Sequence, residues 1–357
     1  MGASLAAKSG NGGHAWTRIS LARGLERLGF EVLLLEEIAN PSECQRSYFR
    51  SVCDDFGIAG LLVGGRVDPS LADRTRQATL VLNVGGNVSI DRLPAERALK
   101  VYLDDDPGYT QIWHDHGLIA DRLAGHDLYF TYGTNVGHEG CDLPVDGIKW
   151  RAIRPPVELQ EWPVMAPVPP RFSTVASWRG GYGRMAHNGK LSGQKAHEFR
   201  RFASLPSLVP QQFEIALQID AADSADVDLL RKHGWRLVDP SKVASTPHSF
   251  RQYVQASAAE FSVAQGIYVD TACGWFSDRT TRYLASGRPA VVQDSGFSPT
   301  IPTDEGLIAF QSLDEAVAGV ESIAADYDRH SRAARAIAED YFDSDKVLGH
   351  MLAECGL

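Results

Sequence analysis

The sequence predicts an α/β protein built from two parallel-sheet domains. Three observations carry that expectation. Short, near-continuous apolar runs (58–63, 79–84, 100–103, 128–131 and 148–153) alternate with helical or irregular stretches, the pattern of parallel strands covered on both faces. A proline-dense stretch, RPPVELQEWP (154–163) with three more prolines by residue 170, then interrupts the pattern as a stiff linker would. The alternation starts again after it, and 357 residues suffice for two ordinary domains. The expected division is a first domain over 1–157, a linker over 158–171, a second domain over 172–342 and a terminal helix over 343–357.

The first half opens on a glycine-rich loop, SGNGGHAW (9–16). Ile19, Leu21, Leu25 and Leu28 then share one side of a helix that Gly29 closes. EVLLL (31–35) is a buried strand, so the segment reads as a βαβ unit. Its first strand would have to be residues 2–7, which are few and weakly apolar. In parallel sheets function gathers at the carboxyl ends of strands. Three features fall there: the loop carrying His14, NVGGN (83–87) and DDDPG (104–108). His14 reads either as a general base held by a carboxylate such as Asp106, or as a surface histidine in a flexible loop. Asp104–Asp106 could hold the base, be the base, bind a divalent metal, or form a solvated turn. His114 and His116 sit where positions two apart diverge on a helix, and read as a solvated face.

The second half repeats the design. A strand over 172–177 leads into WRGGYGR (178–184), then a helix over 194–203. Strands at 213–219, 235–238, 259–264, 289–293 and 306–310 follow, with helices between them, and the tail from 313 is helical almost throughout. The stretch 257–296 parses as strand, glycine-bearing loop, short helix and strand. Ser277 suits an N-cap, Asp278 complements the helix dipole, Gly287 suits the left-handed position past the helix end, and Pro289 forbids continuation. Such a helix start offers free N–H groups to a phosphate, and Arg279 and Arg282 lie three apart on it. Arg179, Arg184, Lys190 and Lys195 cluster in sequence around the glycine-rich loop. Two anion-friendly loops at one sheet edge indicate a ligand bearing a diphosphate.

Composition narrows the partners. Acidic residues outnumber basic ones, 45 to 35, so sequence-independent binding to nucleic acid or to an anionic membrane is not expected. The five cysteines are scattered, with no Cys-x-x-Cys pair, so neither a disulfide framework nor a zinc site follows. No apolar run approaches the roughly 18 residues needed to span a bilayer. A soluble protein of the reducing cytoplasm is the expectation.

At this point the chain resembles a glycosyltransferase of the GT-B type. GNGGH (10–14) is similar to the glycine loop of the GlcNAc transferases of peptidoglycan synthesis, and LARGLERLGFEV (21–32) to the helix after it. GWFSDRTTRYLASGRPAVVQDSG (274–296) resembles the donor-binding strand–loop–helix–strand of that fold. The resemblance implies two Rossmann-like domains facing across a cleft, with the last helix, 343–354, crossing back to the first domain. It implies a nucleotide-sugar donor whose diphosphate meets Arg179, Lys195, Gly274, Ser277, Asp278, Arg279 and Thr280. The paired glutamates of one large GT-B group fall here on Gly274 and Arg282, which leaves Asp294 as the carboxylate for donor-sugar hydroxyls. His14 and Asp106 would deprotonate the acceptor hydroxyl, with Gly12, Gly13 and Trp16 in the acceptor loop. Trp16, Trp113 and Trp275 are candidates to line a sugar pocket or to be core. The expected activity is transfer of a hexose with inversion, without metal or other cofactor. The alternatives are a metal-dependent transferase using Asp104–Asp106, a sugar-nucleotide epimerase, and a non-catalytic nucleotide-sugar binding protein.

Overall fold

In the computed structural model, which describes residues 1–64 and 74–357, the chain begins inside a sheet. The first domain carries β1 (Leu33–Glu37), β2 (Ala59–Val63), β3 (Leu80–Val84), β4 (Leu99–Asp104), β5 (Leu128–Thr131) and β6 (Trp150–Ala152), with every ladder parallel. Residues 1–3 run between β1 and β3. Gly2 donates its N–H to the Leu82 carbonyl (2.8 Å), and the Leu35 N–H donates to the Met1 carbonyl (2.9 Å). These three residues therefore join the two ladders into one sheet. The first strand is shorter than residues 2–7, and Glu36 supplies a physical reason. Its buried carboxylate accepts the Ala6 and Ala7 N–H groups (2.8 and 2.7 Å), which turns the chain off the sheet. The glycine loop is shorter than expected too, because the first helix starts at Gly12, with Asn11 as its N-cap.

The second domain carries β7 (Arg171–Ser177), a small antiparallel hairpin of β8 (Met185–His187) and β9 (Lys190–Ser192), then β10 (Gln212–Gln218), β11 (Trp235–Val238), β12 (Ala259–Ser262), β13 (Ala290–Gln293) and β14 (Leu307–Phe310). Its main sheet has the order β11-β10-β7-β12-β13-β14 and is parallel throughout. Aromatic side chains fill one face. Phe261 stacks on Phe310 (5.2 Å between centroids) and tilts against Trp235.

A single hydrophobic cluster crosses from one domain to the other, with Trp16, Trp162, Phe250, Phe276, Phe342 and Leu348 all in it. The proline-dense stretch is thus more than a spacer, since Trp162 is fully buried edge-on to Trp16 (4.9 Å). The chain crosses back at its end. Val157 pairs with Asp343, the helix Ser344–Glu354 lies against the first helix, and Arg27 forms a two-point ion pair with Asp345 (2.9 and 2.7 Å). No helix among the described residues is long and apolar enough to cross a membrane.

Candidate functional site

The seam between the domains is set by residues expected to hold an acceptor. Gly12 donates its N–H to the Ala244 carbonyl (2.8 Å), and a Cβ there would lie 2.1 Å from the Thr246 carbonyl oxygen. A Cβ on Gly13 would lie 2.9 Å from the Phe250 ring. Trp16 is fully buried, and its indole N–H donates to the Pro247 carbonyl (2.8 Å). Gly12, Gly13 and Trp16 therefore make a domain joint in place of an acceptor loop. Glycine is required because backbone meets backbone. Gly12→Ala is expected to cost about 3 kcal/mol, the upper part of the overpacking range, read as a lower denaturation midpoint in urea.

His14 follows at once, with Nε2 2.6 Å from the Ser4 hydroxyl. Burial, reinforced by the Arg18 guanidinium, holds its pKa well below the usual histidine range, so the ring is neutral at pH 7. The carboxylate whose charge reaches it is Asp278, from the other domain. The expected pairing of His14 with Asp106 is not formed among the described contacts. Asp278 accepts hydrogen bonds from Thr17 and from Arg282 (2.9 Å), so the start of its helix is tied to the first helix.

The expected diphosphate residues divide into three groups. Arg279 is a strut: it donates to Glu260 (2.5 Å), the Val175 carbonyl (2.9 Å) and Ser262 (2.7 Å). Arg179 makes a two-point ion pair with Asp223 (2.8 and 2.5 Å). Lys195 stands with the charges of Arg279, Glu260 and Asp278 around it, at the start of the helix Lys195–Arg201. Burial, then repulsion by Arg279, pushes its pKa down to about 7. Beside it the helix Asp278–Ala285 begins without a side-chain cap bond from Ser277, and the buried Thr280 hydroxyl has no partner among the described residues. Gly274 is held by its N–H on the Ser295 carbonyl (2.8 Å). Asp294 serves its own turn, accepting from the Gly296 and Phe297 N–H groups (2.9 and 3.1 Å) and the Ser298 hydroxyl (2.7 Å).

The three aspartates differ by environment. Asp104 is buried, and its two oxygens accept from Thr110 (2.6 Å), the Asp106 N–H (3.0 Å), Gln111 (2.8 Å) and Thr131 (2.7 Å). Four donors fill its acceptor sites, which leaves Asp104 poorly suited to share a metal with Asp106. No group of three metal-ligating side chains occurs among the described residues. Asp105 pairs with the buried Arg18 (3.0 Å), one turn beyond His14. Asp106 accepts from two phenols of the second domain, Tyr268 (2.9 Å) and Tyr182 (3.3 Å). Burial, then the neighbouring Asp105, pushes the Asp106 carboxyl up to about 7. Trp113 meets Tyr182 edge-on (4.6 Å), and Trp275 stacks on Tyr268 (4.4 Å), so both tryptophans lie here while Trp16 is core. Sequence reasoning missed Glu36, Glu260, Tyr182 and Tyr268. Only Tyr182 carried a signal, its place inside the glycine-rich loop.

A scan against family models finds no match, and a search of curated proteins finds none. Solved structures, in contrast, match along nearly the whole chain. The Anabaena protein HepE, solved with UDP and glucose, has a TM-score of 0.61 at 12% identity over 97% of this chain and 98% of its own. Sucrose-phosphate synthase from Thermosynechococcus elongatus has a TM-score of 0.55 at 11% identity, over 94% of this chain and 91% of its own. A glycosyltransferase from Rickettsia africae has 0.54 at 12%, over 96% and 94%. The fold is GT-B. In this GT-B chain His14, Arg18, Asp105 and Asp106 face the seam from the first domain. Lys195, Asp278, Tyr182 and Tyr268 face it from the second.

Proposed function

We propose that this GT-B protein is a glycosyltransferase that moves a sugar from a uridine diphosphate sugar to an acceptor hydroxyl, with inversion and without a metal. The observation that carries the reading is Lys195, a half-buried lysine set beside an uncapped helix start in a fold shared with HepE, which was solved with UDP and glucose and with UDP-glucose. Lysine and free N–H groups together suit a diphosphate, and they stabilise its charge as it leaves. Asp106 is assigned as the base. Burial and Asp105 push its carboxyl up to about 7, which suits a group that takes a proton near neutral pH, and it lies just past the end of β4 in the first domain. The acceptor oxygen gives its proton to Asp106 and bonds to the anomeric carbon as the carbon–oxygen bond to the diphosphate breaks on the other face. One such displacement inverts the centre. His14, neutral and bonded to Ser4, is assigned to orient the sugar rather than to take the proton.

The test is the protein's melting temperature with uridine, guanosine and adenosine diphosphates and with UDP-glucose. A ligand at 100 times its Kd stabilises by about 2.7 kcal/mol, a rise of a few degrees for a protein of this size. UDP and UDP-glucose are expected to raise the midpoint in EDTA as well as in Mg²⁺. No response to any nucleotide overturns the reading, and a response lost in EDTA overturns its metal-free part.

A further inference from the structure

One turn of the first domain grips the second. Three consecutive carbonyls of the second domain, those of Ala272, Cys273 and Gly274, each accept a hydrogen bond from it. The Asn135 side-chain amide donates to Ala272 (2.8 Å), the Asn135 backbone N–H to Cys273 (3.0 Å) and the Thr134 hydroxyl to Gly274 (3.2 Å). The same amide nitrogen donates to the Gly296 carbonyl (2.9 Å), in the turn after β13. Both of its hydrogens are thereby used, and an amide nitrogen suits two carbonyls where a carboxylate, which only accepts, would not.

The grip is close, and it holds strain. A Cβ on Gly274 would lie 2.4 Å from Thr134 Oγ1, and one on Gly296 would lie 2.8 Å from Asn135 Nδ2. Ala272 has a φ of 45°, in the left-handed region that a β-carbon disfavours. A residue keeps such a conformation only where its surroundings fix it, and here the fixing bond falls on its own carbonyl. The held residues run on through Trp275 and Phe276 to Ser277 and the uncapped start of the helix Asp278–Ala285. Without the grip, Ala272 is free to relax to negative φ, and the loop that leads into the helix start moves with it.

We propose that Asn135 is a positioning residue: seated between two turns of the second domain, it fixes residues 272–274 and so makes the donor-binding shape of their loop depend on the first domain lying against it. The word donor rests on the transferase reading; the clamp does not. Hydrogen–deuterium exchange and isothermal titration with UDP, both on the intact protein, test the two parts. Asn135→Ala, and Asn135→Asp, which keeps the size but at neutral pH has no proton to donate, are each expected to speed exchange at 272–277 in the nucleotide-free protein by about tenfold or more. Each is also expected to weaken UDP binding by about tenfold, the loss of one or two hydrogen bonds. Arg27→Ala, which breaks the ion pair to the terminal helix, is expected to change neither. The double variant Asn135→Ala/Ala272→Gly separates positioning from a general loss of structure. Glycine takes a positive φ without penalty, so it should recover about threefold of the lost UDP affinity. Unchanged exchange at 272–277 in both Asn135 variants overturns the clamp. Faster exchange with UDP affinity unchanged, an equal loss in Arg27→Ala, or no recovery in the double variant overturns the positioning role. If exchange behaves as expected while the parent does not bind UDP, the clamp stands and the donor reading falls.

Discussion

Lys195→Ala is expected to abolish the melting response to UDP and to lower kcat/KM for a UDP-sugar by about 100- to 1,000-fold, the loss typical of removing one preorganised donor to a developing oxyanion. The expectation follows from how the other cations are engaged. Arg279 and Arg282 are held by Glu260 and Asp278, and Arg179 is held by Asp223. Arg179→Ala should therefore leave the UDP response intact, while Arg279→Ala should lower stability, because the buried Glu260 loses its partner. A pH dependence follows as well. Lys195 titrates near 7 before the donor binds, and a diphosphate favours its charged form. Affinity for UDP-glucose is thus expected to be constant below pH 7 and to fall above it, by at most tenfold per unit, as a proton must be taken up on binding. Lys195→Arg keeps its charge throughout and should flatten that fall even if it binds less well. Isothermal titration at pH 6, 7 and 8.5 separates the two variants.

The same residues show how far sequence alone reached. The parallel strands were legible because each is a short apolar run between breakers, and β13, Ala290–Gln293, is buried at all four positions. The Asp278 helix was legible from its flanks, Ser277 and Gly287. What sequence could not supply was the partner of each charge. Arg179 and Lys195 look alike in a string of letters; 44 residues separate Arg179 from Asp223, and nothing local announces that pair. His14 and Asp106 invited pairing because both follow strands of one domain, yet the closing of two domains placed Asp278 by the histidine and two tyrosines by the aspartate. Glycine was misread for a related reason. The pair at 12 and 13 suggests a loop that cradles a ligand, but the space it leaves is filled by the Thr246 carbonyl and the Phe250 ring.

Asp106→Asn is expected to lower kcat by about 100- to 10,000-fold, the range for losing a general base, while the UDP melting response stays as in the parent. A structural carboxylate could also lose activity on substitution, so the pH profile decides. In the parent, kcat should rise with pH through about 7, because Asp106 must be ionised to take a proton and burial beside Asp105 disfavours that ionisation. That acid limb should vanish in Asp106→Asn. Tyr268→Phe tests the assignment from the other side. The phenol hydrogen bond to Asp106 favours the ionised form, so removing it raises the carboxyl further and moves the limb to higher pH. At a pH above the moved limb, Tyr268→Phe should recover most of the parent's kcat, whereas Asp106→Asn should recover none. A limb that stays in place in Tyr268→Phe, or that survives in Asp106→Asn, would assign the proton to another group. His14, whose burial makes it a poor base at any pH in this range, would then have to act with Asp278, and His14→Asn would be the variant to lose the limb.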